Sequence, residues 1–394
     1  MGGMLHIRIT LLQRYVKALF LALGLLLFPF AFVEESATFM EQLMDINKDC
    51  TPFNHYLGQL NESFWLKAKL YRTKSEMYTY GPDEITPFSD LPFCSYQPDN
   101  QGSQEQEQER DVPSWQQIEA DNSNVMEGGE WKPSHCEAQF RIAVVIPYRD
   151  REPHLKRLLH TLHPFLRRQN LDYRIFVVEQ AGDSPFNRGA VKNIGALVAM
   201  KLKQFDCIYF HDVDLIPLVK NNIYYCSDNP RHLSFTIKKA HSIEHAYSTH
   251  FGGVISLTKQ QFINANGFSN IYFTWGSEDD DLSKRLRVLG YHIEQNDRDI
   301  GVYAMMNHIK GTDVRKRYWQ LMWGHCRFLY DGLTTLPFEI LEINKYQTHT
   351  HIKASIDEKL VMSSIPDIPQ TDQIGAYLKP MTKVDALKKT FWAI

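Results

Sequence analysis

The chain has 394 residues, with 43 Lys and Arg against 46 Asp and Glu and a formal net charge of -3. Such a length can bury the core of one large domain or two smaller ones. The near balance of charge excludes broad electrostatic adhesion to nucleic acid, so any anionic ligand must be gripped locally.

Ala18 to Val33 is a run of sixteen uncharged, mostly apolar residues, preceded by Arg8, Arg14 and Lys17 and followed by Glu34 and Glu35. This polarity predicts a cytoplasmic tail over 1–15, a transmembrane signal anchor over 16–33 and a lumenal remainder. A short span suits thin early-secretory membranes, and the absence of a small-residue cleavage pattern weighs against a removed signal peptide. Six cysteines, Cys50, Cys94, Cys136, Cys207, Cys226 and Cys326, then face an oxidising compartment. Their pairing stays open, and none has zinc-finger spacing. Asn61-Glu62-Ser63 is a glycan-acceptor sequence in a weakly periodic stem over 34–93. Residues 99–111, DNQGSQEQEQERD, read as a solvated surface insertion.

From Phe140 the texture changes. FRIAVVIP is a continuous apolar, β-branched run, the mark of a strand buried on both faces of a parallel sheet. A helix follows over 151–168, with Leu155, Leu158, Leu159, Leu162 and Leu166 on one face. RIFVVEQ (174–180) is the next strand, Asn187–Lys203 the next helix with Val191, Ile194, Leu197 and Val198 inward, and CIYFHDVDL (207–215) the third strand. This alternation predicts an open α/β sheet whose ligand crevice lies at the carboxyl ends of the strands, bringing 147–151 and 212–214 together. Nothing assigns the tail over 356–394.

Four clusters can do chemistry. Asp212-Val213-Asp214 ends the third strand, where two carboxylates at i and i+2 could hold a divalent cation against a diphosphate. An isolated D-x-D is more often an acidic turn; its place at the strand end favours the functional reading. Trp275-Gly276-Ser277-Glu278-Asp279-Asp280-Asp281 enters a helix, DLSKRLRVLG. Acids at a helix start suit the dipole, but the crowding of like charges and the adjacent Trp and Gly fit a sugar-stacking loop beside a general base better. Met305-Met306-Asn307-His308 follows a strand near Val302; alone it is more often core packing than a metal site. Arg149, Arg151 and Arg188 stand where a pyrophosphate needs guanidinium groups.

In order and spacing, VVIPYRDREPHL (144–155), FNRG (186–189), FHDVDLIP (210–217), FGGVISLTKQQFINANGF (251–268), WGSEDDDLSKRL (275–286) and DGLTTL (331–336) resemble the β-1,4-galactosyltransferases, glycosyltransferase family 7, from about Cys94 to residue 352. The resemblance implies a GT-A type, Rossmann-like catalytic domain over 94–355 with a mainly parallel central sheet, on a single-pass type II Golgi membrane protein. It implies inverting transfer from a UDP-sugar to the 4-hydroxyl of a terminal sugar, GlcNAc in the leading reading, on a glycoprotein or glycolipid. Asp214, Met305 and His308 would hold Mn²⁺, and Asp279 would be the general base, with Glu278 and Asp280 organising it. Pro147, Arg149, Arg151, Phe186, Arg188, Asp212, Val213, His250, Gly253 and Trp275 would line the UDP-sugar pocket. Asp279, Asp280, Tyr247, Trp275, Arg317, Tyr318 and Leu321 would meet the acceptor, the last three on a lid over 309–323. Disulfides Cys94–Cys136 and Cys207–Cys226 would follow, with Cys50 and Cys326 unpaired or unassigned.

Departures from the family pattern bear on substrate. His250 stands where galactose-transferring members carry Tyr and GalNAc-transferring members a smaller aliphatic residue, so UDP-galactose and UDP-GalNAc both remain as donors. Thr274-Trp275-Gly276-Ser277 replaces a glycine-richer loop and should be stiffer. The lid is shorter by about three residues, which leaves the acceptor open, as is homodimer formation. A catalytically silent lectin-like protein is the reading from another class, opposed by the joint presence of Asp214, Met305, His308 and Asp279. A hydrolase with paired carboxylates is weaker still, having no use for a diphosphate grip.

Overall fold

The first helix, α1 (Trp115–Asp121), is capped by Ser114, whose hydroxyl accepts the Gln117 N–H, and leads through β1 (Glu130–Trp131) into the apolar run β2 (Arg141–Tyr148). The computed structural model describes residues 91–95, 111–307, 317, 320–321 and 323–365. The expected tail, anchor and stem, Asn61, Cys50, most of the 99–111 insertion, His308, Tyr318 and residues 366–394 lie outside the described residues. Among those described, no helix is long and apolar enough to cross a membrane.

Alternation within β2 divides the core. Ile142, Val144 and Ile146 face α2 (Glu152–Arg167), whose Leu155, Leu158, Leu159, Leu162 and Leu166 share their cluster. Ala143 and Val145 face the other way, packing with Phe176 and Val178 of β3 (Asp172–Ala181) against Val191, Ile194, Leu197 and Val198 of α3 (Arg188–Leu202). A methyl group at Gly195 would lie 2.5 Å from Val145 Cγ1 and 2.7 Å from Val178 Cγ2, so only glycine lets α3 sit this close to the sheet. β2 runs parallel to β3 and to β4 (Cys207–His211), as the sequence pattern requires.

The third strand is shorter than expected. It ends at His211; Asp212 then turns, its N–H donating to Gly253 O at 3.1 Å, and Leu215–Pro217 form a separate β5. The remaining strands are β6 (Arg231–His232), β7 (Thr236–Lys238), β8 (Ile243–His245), β9 (Val254–Thr258), followed by helices α4 (Lys259–Asn264) and α5 (Glu278–Val288), then β10 (Glu294–Gln295) and β11 (Val302–Met305). After a short α6 (Gly324–Arg327) come β12 (Glu339–Lys345), β13 (Thr350–Ser355) and α7 (Glu358–Ser364). The larger sheet has the order β10-β6-β9-β4-β2-β3-β13-β12, with β13 parallel to β3 and β9 antiparallel to β4. The smaller has the order β5-β11-β7-β8. This is a mixed α/β, GT-A-like architecture with a mostly parallel centre. Packing continues past residue 355, where Ile356, Val361 and Ile365 join the α3-side core. Apart from Tyr247–Thr249, the described residues belong to one compact unit.

Cys94–Cys136 and Cys207–Cys226 are both bonded, as expected. Cys326, expected to be unpaired or unassigned, is also disulfide-bonded. It lies on α6, which is pinned to α5 by four fully buried charges. Arg327 donates to Asp281 at 3.0 Å and Asp331 at 2.8 Å, while Arg285 reaches the same two carboxylates. Tyr272 OH donates to Asp281 at 2.8 Å, and Arg327 Nη1 to Gln320 O at 2.8 Å. Burial would raise the Asp281 carboxyl, but Arg285 and Arg327 outweigh it and hold it below the usual range. Two cations and two anions balance here, so losing one leaves an uncompensated buried charge. Arg327→Met should therefore cost about 3–5 kcal/mol of stability in urea unfolding; a loss under 1 kcal/mol would show that the cluster contributes little.

Candidate active site

The strand ends and helix starts converge on Arg188, the first residue of α3. Asn187 caps that helix, its side chain accepting the Ala190 N–H, and is itself buried, donating to Asn270 O at 2.6 Å. The Arg188 backbone is thus fixed from both sides. Its Nη1 donates to Asp212 Oδ2 at 2.8 Å, its Nη2 lies 3.5 Å from Asp279 Oδ2, and its Nε is bonded to Glu278 Oε1. One planar guanidinium therefore ties the end of β4 to the first turn of α5.

Lys192, one turn further along α3, adds a second cation 3.3 Å from Asp212 Oδ1 while almost fully buried. Sequence reading missed it. The available signal was a lysine four residues after Arg188 in the largely apolar run GAVKNIGALVAM (189–200). His211, buried and lowered to about 4 chiefly by that burial, places Nδ1 2.9 Å from Asp212 O.

This setting pushes neighbouring acids apart. Burial raises the Glu278 carboxyl, and Arg188 only partly offsets it. Asp279 is also pushed up by burial, but Arg188, His250 and Lys192 outweigh that and hold it below the ordinary value. The residue expected to act as base is the one kept ionised. Asp280, beside it, donates its backbone N–H to Asp279 Oδ1 at 2.9 Å.

Around this centre the other expected residues fall as follows. Pro147 is buried at the end of β2. Arg149 donates to Ser184 O at 2.8 Å and stacks 5.0 Å over the Phe186 ring; Arg151 stands at the N-cap position of α2 without a side-chain capping bond. Gly253, at φ 75°, passes so close to Ser234 and Leu215 that a methyl would lie 2.5 Å from Ser234 Oγ. Val213 and Asp214 sit in the turn between the two sheets.

Antiparallel pairing sets Met305 opposite Leu215, and Met306 N–H donates to Asp214 O at 2.8 Å. The β5–β11 ladder thereby brings Asp214 and the Met305 segment side by side, and His154 Nε2, 3.1 Å from Asn307 O, fixes the residue preceding His308. Among the described residues no group of three His, Cys, Asp or Glu is arranged to hold a metal; the expected set includes a thioether, and its third member lies outside the described residues. Carboxylate oxygen and thioether sulfur, both present, suit a borderline divalent ion. Beside them opens a cavity of about 620 Å³ whose lining includes His154, Arg157, Lys239, His241, Met305 and Asn307, with no carboxylate among its described walls.

Trp275 is 42% exposed on a loop where Thr274, Gly276 and Ser277 have φ of 81°, 89° and 78°. Arg317 stacks 4.7 Å from its ring and donates to its carbonyl at 2.8 Å, so these two expected acceptor residues meet. Leu321 is buried. Tyr247 belongs to the short segment grouped apart from the main unit.

The match to known proteins covers the same residues. Residues 94–227 match the N-terminal region of glycosyl transferase group 7, and residues 231–309 a model described as the N-terminal domain of galactosyltransferase. Beta-1,4-galactosyltransferase 4 of Cricetulus griseus is 40% identical over 240 residues, 60% of this chain and 69% of that protein. The Mus musculus protein of the same name is 38% identical over 278 residues, 70% and 80% respectively. The solved catalytic domain of Drosophila beta1,4galactosyltransferase 7, in complex with xylobiose, aligns with TM-score 0.48 and 24% identity over 55% of this chain and 94% of that one.

The charge balance carries a pH signature. Because the folded Asp279 carboxyl lies below its unfolded value, its contribution to stability is complete above about pH 4 and is lost as pH falls through the folded value. In Arg188→Met, burial dominates and the sign reverses. The stability gap between wild type and Arg188→Met in urea unfolding should thus be widest near neutral pH and narrow below about pH 4. A gap that does not change with pH would mean that Arg188 acts by packing alone.

Proposed function

The chain belongs to glycosyltransferase group 7, the family of the β-1,4-galactosyltransferases, and from that premise we propose that it transfers galactose from UDP-galactose to the 4-hydroxyl of a terminal sugar, with inversion and with Mn²⁺ as cofactor. The observation that carries this reading is the Arg188 grip, which holds an ionised Asp279 between the end of β4 and the first turn of α5. Asp279 takes the proton from the acceptor hydroxyl as that oxygen attacks the anomeric carbon. Glu278 and Asp280 hold it in place. Arg149, Phe186 and Arg151 line the nucleotide end, and Trp275 covers the donor sugar. The proposed acceptor is a GlcNAc-terminated glycan, and Arg317, Tyr318, Leu321 and Tyr247 are the residues proposed to meet it.

Asp214, Met305 and His308 are the proposed ligands of Mn²⁺, which when bound neutralises the diphosphate as UDP leaves. The described walls of the cavity beside Met305, which carry Arg157 and Lys239 and no carboxylate, support an anion at that edge. Placement on the lumenal side of the Golgi membrane, behind an anchor at 16–33, belongs to the same proposal. The Cys94–Cys136 and Cys207–Cys226 disulfides support an oxidising compartment.

His250 favours a second reading for the donor. Its ring is smaller than a tyrosine's and leaves space that an N-acetyl group could fill, which makes UDP-GalNAc the competing donor. When the protein is offered UDP-Gal, UDP-GalNAc, UDP-GlcNAc and UDP-Glc with Mn²⁺ and a GlcNAc-terminated acceptor, UDP-Gal should be consumed fastest, and His250→Tyr should raise its preference over UDP-GalNAc. Faster use of UDP-GalNAc by the wild type would replace the first reading by the second. Asp279→Asn should lower kcat by about 10²–10⁴-fold with little change in donor KM; equal losses in both would make Asp279 a structural acid only.

A further inference from the structure

The chain has six cysteines, Cys50, Cys94, Cys136, Cys207, Cys226 and Cys326. Four of them are taken up by Cys94–Cys136 and Cys207–Cys226. Cys326 is disulfide-bonded as well, and a cysteine forms only one such bond, so within the chain Cys50 alone remains to pair with it. The family resemblance supplies no partner for either.

We infer that a Cys50–Cys326 disulfide straps the chain ahead of the catalytic domain to α6, the element that holds α5 in place. The bond forms by exchange. The Cys326 thiolate attacks a protein disulfide of an oxidising compartment, giving a mixed disulfide and one thiol of that carrier; the Cys50 thiolate then attacks the Cys326 sulfur and releases the second carrier thiol. Two protons and two electrons leave this chain, and the carrier disulfide is reduced to a dithiol. Cys94–Cys136 and Cys207–Cys226 call for the same class of oxidant.

Helix α6 is a firm attachment point. Cys326 is 7% exposed and lies between Trp323 and Arg327, both almost fully buried. Its N–H donates to Trp323 O at 3.1 Å, and its Sγ lies 3.4 Å from His325 Nε2, an imidazole that favours the thiolate during exchange. The next residue, Arg327, bonds Asp281 and Asp331 and, through Nη1, Gln320 O. The strap therefore ends one residue from the ion cluster that fixes α5. With four residues, α6 is too short to persist alone, so it takes its order from that cluster and from the strap together. The two cysteines are far apart in sequence, and closing so long a loop removes much of the unfolded chain's freedom.

The test is peptide mapping of the full chain without reductant, after alkylation of free thiols under denaturing conditions. Trypsin should release residues 49–67 joined to residues 318–327, a species that reduction separates, and no cysteine should carry the alkyl group. Alkylated Cys50 or Cys326, or Cys326 joined to a second copy of the chain, would overturn the strap. The mapping is made on the wild type, so it stands whether or not a variant folds. For the effect on stability, Cys50→Ser should melt roughly 5–10 °C below the wild type and leave a single alkylatable thiol, at Cys326. A Cys50→Ser protein that melts with the wild type would remove the stabilising role of the strap. Neither readout involves sugar transfer, so the strap can fail while the transferase reading stands, and the reverse.

Discussion

The site depends on one buried guanidinium. Arg188 is surrounded by Asp212, Glu278 and Asp279, from two elements far apart in sequence. Three carboxylates gathered with little water repel one another strongly, and without a cation among them they would either take up protons or separate. A lysine could neutralise charge but could not meet three acceptors in a plane. Arg188 does so because it is the first residue of a helix whose cap, Asn187, is itself held by Asn270. The position of the Asp279 carboxylate is thus set by an arginine.

Helix α5 is fixed by a second arginine–carboxylate set at its other face. Asp279 and Asp281 are two residues apart, which on a helix points them in nearly opposite directions. Asp279 joins the Arg188 group, and Asp281 joins Arg285, Arg327 and Asp331 inside the protein. A run of four acids that looks like one negative patch is therefore two devices, one tying Asp279 to Arg188 and one anchoring the helix that carries it. Arg327 also bonds the main chain at Gln320, so the anchor extends to the segment that bears Arg317.

Much of this was legible in the sequence. The run FRIAVVIP and the leucines after it carry their own burial pattern, and β2, α2 and α3 lie where hydrophobic periodicity puts them. The strand expected over 207–215 failed at Asp212, because what ends it is a bond to Gly253 and a new partnership of Leu215 with Met305. Those partners lie about 40 and 90 residues away, and no local pattern announces them. For the same reason the pair Asp281–Arg285 was readable at helical spacing, whereas its extension to Arg327 and Asp331 was not. Lys192 escaped because a lysine on an apolar helix usually extends its amine to solvent; here the amine turns inward to Asp212.

The loop around Trp275 places two residues with side chains, Thr274 and Ser277, in the left-handed region on either side of the indole. Each costs roughly 1–2 kcal/mol there, while a partly exposed arginine–indole stack returns only about 0.5–1 kcal/mol. Together the two strained residues cost roughly 2–4 kcal/mol, more than the stack returns, so this indole position is held by the surrounding packing against a backbone that another position would relax.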